Sequence, residues 1–216
     1  MWCRVHVEGQ EHVAGDGPFI LVSNHVDNWD PHVVGLYVRG RVVCYMARAD
    51  GLHSRWLGWF WRRLRAIPAD RDGLGQALKI LKAGGVVGVF PEGVIAPALA
   101  PAIPGSAVLA LRSGAMVVPA AVWGTERIRW LSFLRPPRVH VRYGPPRTLK
   151  RGSRAEAATD DLMRAIAAML PPEYRGVYAG PSPAATVLPA TASATASATA
   201  VEGPPPTSEG HSSALA

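Results

Sequence analysis

Short apolar runs alternate with helical patterns along most of this chain, and this alternation restricts its fold more than any other feature of the sequence. Val, Ile and Phe dominate six strand candidates, which span residues 4–7, 19–23, 42–46, 86–90, 116–123 and 138–143. Helical patterns cover residues 31–38, 54–64, 74–83, 106–113 and 154–170. Apolar strands that alternate with helices are typical of a sheet covered on both faces, so the sequence predicts an α/β domain.

The composition changes near Gly180, which indicates one domain followed by a tail. Residues 1–179 carry the strand and helix candidates, and 48% of the 216-residue chain is apolar, enough for a buried core. Residues 180–216 consist mainly of Pro, Ala, Ser and Thr and contain neither Lys nor Arg. Such a segment buries too little apolar surface to offset the entropy lost on ordering, so we expect it to be disordered.

The charge of the chain favours anionic partners. Its net charge is +7, and all but three of the 23 basic side chains are Arg. Arg is dense between residues 126 and 154, but no nucleic-acid recognition motif accompanies it. We therefore expect an anionic ligand or an anionic surface as partner, and no nucleic acid. No run of 18 apolar residues is present, so no transmembrane helix is predicted.

A polar cluster, Ser23-Asn-His-Val-Asp-Asn-Trp-Asp-Pro-His32, follows the apolar run 19–23 directly. Ligands of α/β sheets bind where parallel strands end, at the carboxyl edge of the sheet. His25 and Asp30 suit an acid–base pair, in which a neutral imidazole accepts the proton of a hydroxyl that attacks an acyl carbonyl. The carboxylate on the other ring nitrogen would fix the tautomer. A loop can bring residues five apart together, whereas a continuous helix would turn them to different faces.

Other interpretations of this cluster stay open at the level of sequence. Asp30 followed by Pro31 fits the N-cap and the first position of the next helix. His25 is equally compatible with an ordinary polar loop residue. His25, Asp27, Asp30 and His32 are all capable of binding a metal, but they have no recognised metal-ligand spacing, and we predict no metal.

A second apolar run ends abruptly at Phe90-Pro91-Glu92-Gly93. Pro interrupts a strand, and Gly lets the backbone turn or approach a ligand closely. If the strands are parallel, Glu92 reaches the same edge of the sheet as His25, where its carboxylate can accept a hydrogen bond from an alcohol. The alternative is a turn that only ends the strand.

Four segments, in this order, resemble the motifs of the glycerolipid acyltransferase superfamily, the family of 1-acylglycerol-3-phosphate acyltransferases. They are Asn24, His25 and Asp30 of an Asn-His-x4-Asp motif, Ile67-Pro-Ala-Asp70-Arg71, Phe90-Pro91-Glu92-Gly93, and Val118-Pro119 with Gly124-Thr125. The similarity runs from about Val5 through Tyr178. It implies a single α/β domain with a mixed, largely parallel sheet flanked by helices.

The resemblance also implies roles for individual residues. His25 would be the general base and Asp30 its orienting partner. Substrate binding would fall to Asn24, Arg71, Phe90, Pro91, Glu92, Gly93 and Pro119. Of these, Arg71 would contact the acceptor phosphate and Pro119 would belong to the strand that shapes the acyl pocket. The family transfers an acyl group from acyl-CoA or acyl carrier protein to a hydroxyl without a covalent intermediate, a metal or another cofactor.

Two departures from the family pattern concern the acceptor phosphate. The third motif continues in the family with Thr-Arg-Ser, but here Ile95 stands where the Arg would be. Farther on, the family usually carries Lys before Gly, whereas Pro104 precedes Gly105 here. Losing two charge-assisted contacts predicts weaker binding of lysophosphatidic acid. A glycolipid, a polyol or another lysolipid would fit as acceptor, unless Arg112 or Arg127 compensates.

The segment Trp56-Leu-Gly-Trp-Phe-Trp-Arg-Arg-Leu-Arg65 combines aromatic rings with Arg, as side chains at a membrane interface do. Packing of the rings in the core is the alternative. The substrates that the resemblance implies are amphiphilic, which also favours a membrane surface. Together these two observations predict a peripheral, monotopic protein on the cytoplasmic face of a membrane.

We therefore expect an enzyme that moves a fatty acyl group from acyl-CoA or acyl carrier protein to a hydroxyl of a lysophospholipid such as 1-acylglycerol-3-phosphate. An acyltransferase with a non-phosphate or glycolipid acceptor is one alternative. A non-catalytic lipid-binding membrane scaffold is another, since the third motif is incomplete. A thioester hydrolase is a lesser one.

Overall fold

The computed structural model describes residues 3–47 and 65–180. Within them the chain forms a seven-stranded sheet with the strand order β1-β7-β6-β2-β5-β3-β4. The strands are β1 (Arg4–Glu8), β2 (Phe19–Ser23), β3 (Val43–Ala47), β4 (Ile67–Pro68), β5 (Val86–Val89), β6 (Met116–Trp123) and β7 (Arg138–Tyr143).

Within the described residues, four α-helices connect or follow the strands. They are α1 (Asp30–Leu36), α2 (Arg71–Lys82), α3 (Gly105–Ser113) and α4 (Ala155–Met169). Short 3-10 helices occur at Gln10–Val13, Thr125–Arg127, Trp130–Phe133, Pro172–Tyr174 and Gly176–Tyr178. No helix in the described part of the chain is both long enough and apolar enough to cross a membrane.

The sheet is mixed and largely parallel, as predicted. Five neighbouring strands, β6, β2, β5, β3 and β4, run in one direction. The direction reverses between β6 and β7, which pair antiparallel, and β1 joins β7 in parallel. Because β2 and β5 are parallel neighbours, the segments that follow Ser23 and Val89 leave the sheet side by side.

Helices cover both faces of the sheet, which explains why its central strands are apolar throughout. On one face Leu21 and Val118 pack with Val34 of α1. The opposite face packs against α2, α3 and α4, and its buried residues include Ile20, Val87, Leu81, Leu109 and Leu162. On α4 the side chains of Ala158, Leu162 and Ile166 are buried.

Local signals explain where the structure differs from the predicted elements. Strand β4 has only two residues, one of them Pro, and was not predicted. Helix α2 begins three residues before the predicted start, because Asp70 caps it by accepting a hydrogen bond from the Gly73 N–H at 2.8 Å. The helix predicted at 54–64, the membrane segment 56–65 except for Arg65, and the tail after residue 180 lie outside the described residues.

Candidate active site

The carboxyl edge of the sheet carries the polar residues that follow β2 and β5. The side chain of Asp30 returns to His25 across this edge, and its Oδ2 lies 2.9 Å from Nδ1 of the imidazole. The predicted approach of these two residues is confirmed. The His25 ring is 13% exposed and the carboxylate is fully buried. Nε2 of His25 makes no hydrogen bond to any residue among 3–47 and 65–180.

Asp30 is held by donors on both of its oxygens. Oδ2 also accepts hydrogen bonds from the backbone N–H groups of Val26, at 2.6 Å, and Asp27, at 2.8 Å. Oδ1 accepts a hydrogen bond from Thr125 Oγ1 at 2.5 Å. These donors fix the carboxylate in the position in which it lies against Nδ1 of His25.

The alternative role of Asp30 as an N-cap is wrong. Asp30 is the first residue of α1, Trp29 holds the cap position, and no side chain caps the helix. The carboxylate instead accepts from the loop that precedes the helix. The metal alternative gains no support, because no group of three or more potential ligands occurs among the described residues.

Thr125 is a site residue that the sequence prediction missed. The sequence showed it only as the end of a strand motif, 95 positions after Asp30. Its side chain is fully buried just beyond the carboxyl end of β6, next to Gly124 with φ of 87°. The order of the strands brings it to Asp30, and sequence spacing alone does not reveal this.

Glu92 joins the two polar segments through the backbone. Oε1 accepts the N–H of His25 at 3.0 Å, and Oε2 accepts the N–H of Ala100 at 2.7 Å. Burial raises the pKa of Glu92 to about 6, although the two backbone hydrogen bonds lower it in part. Glu92 lines the cavity, as expected of an acceptor-binding residue, but it also has a positioning role that was not predicted.

Phe90 fixes the plane of the His25 ring. The two rings are stacked with centroids 4.3 Å apart and planes inclined by 21°. On its other side Phe90 stacks against Tyr45 at 5.5 Å. The imidazole is therefore held by a hydrogen bond at one nitrogen and by a stacked ring at its face, which leaves little freedom for rotation.

Asn24, for which a substrate-binding role is expected, has its amide bound to the backbone of a neighbouring strand. Its Nδ2 donates to the Val122 carbonyl and its Oδ1 accepts from the Val122 N–H, both at 2.8 Å. The amide thus continues the pairing of β2 with β6 beyond the end of the strand. It is buried and positions the loop that carries His25.

A cavity of about 690 Å³ opens in front of His25. Its wall is mostly apolar and is made by the ends of β3 and β5 and by the beginnings of α1, α2 and α3. It includes Met46, Ala47, Leu74, Val89, Phe90, Pro91, Glu92, Gly93, Val94, Ile95 and Ile103. Its size and apolar lining suit a small or chain-like ligand.

Besides Asn24, two further residues predicted to bind substrate do not line this cavity. Pro119 is buried in the middle of β6, paired with Val22, and no described residue of β6 reaches the cavity wall. Pro119 thus lies away from this cavity, and the role expected of it in shaping the acyl pocket stays a prediction. Arg71 is exposed at the start of α2, and the neighbouring Asp70 lines the cavity instead.

The amino end of α3 also forms part of the wall, at Gly105 and Ser106. Arg112, considered as a replacement for the missing cations, lies at the other end of this helix and lines a separate cavity beside Pro18 and Ala115. Arg127 is exposed and forms an ion pair with Glu126. Neither Arg side chain lines the cavity in front of His25.

A histidine–carboxylate pair therefore stands at the carboxyl edge of a mixed sheet, beside a largely apolar cavity that His25 helps to line. The chain belongs to the Acyltransferase family, whose model matches residues 4–123 and so includes the His25–Asp30 pair and the Glu92 turn.

Similar proteins are known by sequence and by structure. The 1-acyl-sn-glycerol-3-phosphate acyltransferase of Bacillus subtilis is 30% identical over 125 residues, 56% of this chain and 63% of that protein. A chloroplastic 1-acyl-sn-glycerol-3-phosphate acyltransferase of Arabidopsis thaliana is 27% identical and shares 58% of this chain, but only 37% of its own length. The chain thus spans less than two thirds of these curated relatives.

The fold also matches a solved structure. The 1-acyl-sn-glycerophosphate acyltransferase of Thermotoga maritima superposes with a TM-score of 0.60 at 24% identity, covering 76% of this chain and 70% of that one. The likeness confirms the predicted fold class.

Proposed function

We propose that this protein transfers a fatty acyl group from a thioester, acyl-CoA or acyl carrier protein, to a hydroxyl of a lysophospholipid such as 1-acylglycerol-3-phosphate. The observation that carries the proposal is the His25–Asp30 pair, because its carboxylate fixes Nδ1 and leaves Nε2 toward the cavity as a base. The names of the relatives support the acceptor, since they describe enzymes that act on 1-acyl-sn-glycerol-3-phosphate.

The chemistry needs one proton transfer in each direction. Nε2 of His25 accepts the proton of the acceptor hydroxyl while the oxygen attacks the thioester carbonyl. The carbon–sulfur bond then breaks, the new ester forms, and the imidazolium returns the proton to the departing thiolate. Asp30 stabilises the imidazolium between these two steps.

The two backbone hydrogen bonds to Glu92 keep the base in place during this reaction. They tie the loop of His25 to the segment around Ala100, so the two sides of the cavity cannot separate without breaking them. A rigid arrangement of base and substrate walls lowers the entropic part of the barrier. The apolar wall would hold the acyl chain, and binding at a membrane surface would supply both amphiphilic substrates.

The test is transfer of radiolabelled palmitate from palmitoyl-CoA, and separately from palmitoyl acyl carrier protein, to lysophosphatidic acid. The wild-type protein should form phosphatidic acid, and His25→Ala should lower kcat at least a hundredfold with an unchanged melting temperature. His6→Ala is the matched control, because His6 is exposed at the edge strand.

Two outcomes would replace the proposal. Free fatty acid without acylated acceptor, lost in His25→Ala, would make the protein a thioesterase. Binding of lipid without turnover of any thioester would favour the membrane scaffold.

A further inference from the structure

Helix α3 presents unused hydrogen-bond donors to the cavity in front of His25. The hydroxyl of Ser106 is fully buried, lines the cavity and has no hydrogen-bond partner in the described part of the protein. The N–H groups of Gly105, Ser106 and Ala107 likewise have no acceptor among residues 3–47 and 65–180, and no side chain caps the helix. A buried polar group without a partner costs stability, so the Ser106 hydroxyl is matched to a group that binds there.

The position of these donors relative to the base is fixed by the backbone. The Ile103 N–H donates to the Pro91 carbonyl at 2.8 Å, next to Glu92, which in turn accepts from the His25 N–H. The start of α3 is therefore tied through one turn to the loop that carries the base. A group bound at Ser106 belongs to the same substrate molecule as the hydroxyl that His25 activates, or to the thioester beside it.

We propose that the amino end of α3, with Ser106, binds the phosphate ester of the acceptor, an inference that rests on the proposed acyl transfer. Free N–H groups and the partial positive charge of a helix amino end suit an anion. No Lys or Arg lines the described wall of the cavity, so neutral donors take the place of cations. The two carboxylates in the wall are already bound, Glu92 by two N–H groups and Asp70 by the N–H of Gly73.

The test compares lysophosphatidic acid with its phosphate-free analogue, monoacylglycerol, in the full chain. Ser106→Ala should raise KM for lysophosphatidic acid about tenfold and change KM for monoacylglycerol less than twofold, because only the first places charge against the hydroxyl. Ser106→Thr keeps the hydroxyl and should restore most of the difference. Ser113→Ala is the matched control, since Ser113 lies at the far end of the same helix and bonds to Leu109.

Three further readouts separate this inference from the proposed function. Glycerol 3-phosphate should bind the wild type more tightly than Ser106→Ala in isothermal titration, whether or not acyl transfer is seen. When acyl-CoA is replaced by a phosphate-free acyl thioester, Ser106→Ala should still raise KM for lysophosphatidic acid selectively. If this selective rise disappeared, the site would bind the phosphates of the donor, and the inference would be overturned.

Without ligand, Ser106→Ala should be at least as stable as the wild type, because it removes an unpaired buried hydroxyl. Equal losses with both acceptors would also overturn the inference.

A second observation concerns the surface beyond the carboxyl end of β6. Four large apolar side chains are exposed within five residues, Trp130 by 73%, Leu131 by 44%, Phe133 by 56% and Leu134 by 72%. We call them the 130–134 surface. Isolated exposed apolar residues are ordinary, but a contiguous group of this size marks a binding surface.

The backbone under this surface is well anchored. Ile128 is buried in the core on one side, and the buried Ser132 accepts a hydrogen bond from the Arg129 N–H at 2.8 Å. The buried Ile128 and the hydrogen bond at Ser132 fix the backbone in a conformation that exposes these apolar side chains to solvent. Thr125, which bonds to Asp30, lies five residues before Trp130, so the surface begins near the edge of the sheet that carries the base.

We infer that the 130–134 surface inserts into the headgroup region of an anionic membrane. Exposed Arg127, Arg129 and Arg135 flank it. Two acids lie near these cations in the described part of the chain: Glu126 is held by Arg127 and Tyr174, and Asp27 interacts electrostatically with Arg129. Trp and Leu at the centre with Arg at the rim match the apolar and anionic layers of a leaflet.

The test is cosedimentation with vesicles of phosphatidylcholine alone or with 30% phosphatidylglycerol. The double variant Trp130→Glu with Leu134→Glu should lower the partition coefficient for anionic vesicles at least tenfold. Leu36→Glu is the matched control, because Leu36 is 73% exposed on α1. Replacing the three Arg by Gln should remove the preference for phosphatidylglycerol. Unchanged partitioning of the double variant would overturn the inference, as would equal loss with Leu36→Glu.

Discussion

Thr125 and Asp30 are joined by a hydrogen bond of 2.5 Å between Oγ1 and Oδ1, although 95 positions separate them in the sequence. The bond connects the turn after β6 to the first residue of α1. With the two backbone donors and His25 on the other oxygen, it leaves the buried carboxylate fully surrounded by donors. The orientation of His25, the proposed general base, thus depends on a threonine outside the loop that carries it.

Thr125→Val tests this dependence, because Val has the shape of Thr but no hydroxyl. We expect kcat to fall about tenfold and the free energy of unfolding to drop by about 1–3 kcal/mol, since Oδ1 of a buried carboxylate loses its donor. Acyl-transfer kinetics and urea denaturation measure the two effects. Thr125→Ser keeps the hydroxyl and should retain both the kcat and the free energy of unfolding of the wild type. If Thr125→Ser were as impaired as Thr125→Val, the methyl group of Thr125 and not its hydroxyl would be responsible.

Asp30→Asn separates the charge of the carboxylate from its hydrogen bonds. The amide oxygen can still accept from Val26, Asp27 and His25, while the amide nitrogen can donate to the Thr125 hydroxyl after that group rotates. The imidazolium loses its counter-charge, so kcat should fall by a factor of about 10² to 10⁴. KM should change little. Full activity of this variant would show that Asp30 serves only as a scaffold for the loop.

Glu92→Gln should change how stability depends on pH. The folded protein raises the pKa of Glu92 from 4.5 to about 6, mainly by burial, so it holds this proton more tightly than the unfolded chain. The stabilisation is full below pH 4.5 and is lost as the pH rises through 6. The difference in unfolding free energy between wild type and Glu92→Gln should therefore shrink by about 2 kcal/mol between pH 4.5 and pH 7.

Urea denaturation at several pH values in this range provides the measurement. At pH 7 the variant should still be less stable, because its amide nitrogen cannot accept from the N–H of His25 or Ala100. A difference that stays constant across the range would mean that Glu92 titrates in the folded protein as it does in the unfolded chain.

Asn24→Ala should act on stability and hardly on KM. It leaves the N–H and carbonyl of Val122 without partners in a buried position, which costs about 2–4 kcal/mol for the two groups together. Asn28→Ala provides the contrast, because Asn28 is exposed and lines the cavity. Thermal unfolding and KM for the acceptor distinguish the two. If Asn24→Ala raised KM without a loss of stability, this result would support a role of Asn24 in substrate binding.

Much of the sheet was predictable from the sequence, because its strands are continuously apolar and end sharply. The predicted bounds of β2, β6 and β7 coincide with those observed. The start of α2 was missed because Gly73 weakens the helical pattern. A side chain there would place its Cβ 1.6 Å from the Pro68 carbonyl oxygen, so the close contact between β4 and α2 requires glycine.

The candidate site was predictable where partners are close in sequence and not where they meet through the strand order. The spacing of His25 and Asp30 suggested their contact, which the structure shows. The partner of Asn24 is 98 positions away, and no local pattern tells whether an amide faces a substrate or a neighbouring strand. The hydroxyl of Ser106 was invisible for the same reason, since its burial depends on how α3 docks.

The pairing of β1 with β7 has a consequence for how the protein acquires its structure during synthesis. Arg4 pairs with Arg138, and β1 lies at the edge of the sheet with β7 as its single neighbour. A ribosome that adds roughly 5–20 residues per second needs on the order of 7–27 s to make the chain between them. Strands β2 to β6, which carry the base and its partners, are complete earlier. These strands can therefore assemble while β1 still lacks β7, its hydrogen-bonding neighbour in the described sheet.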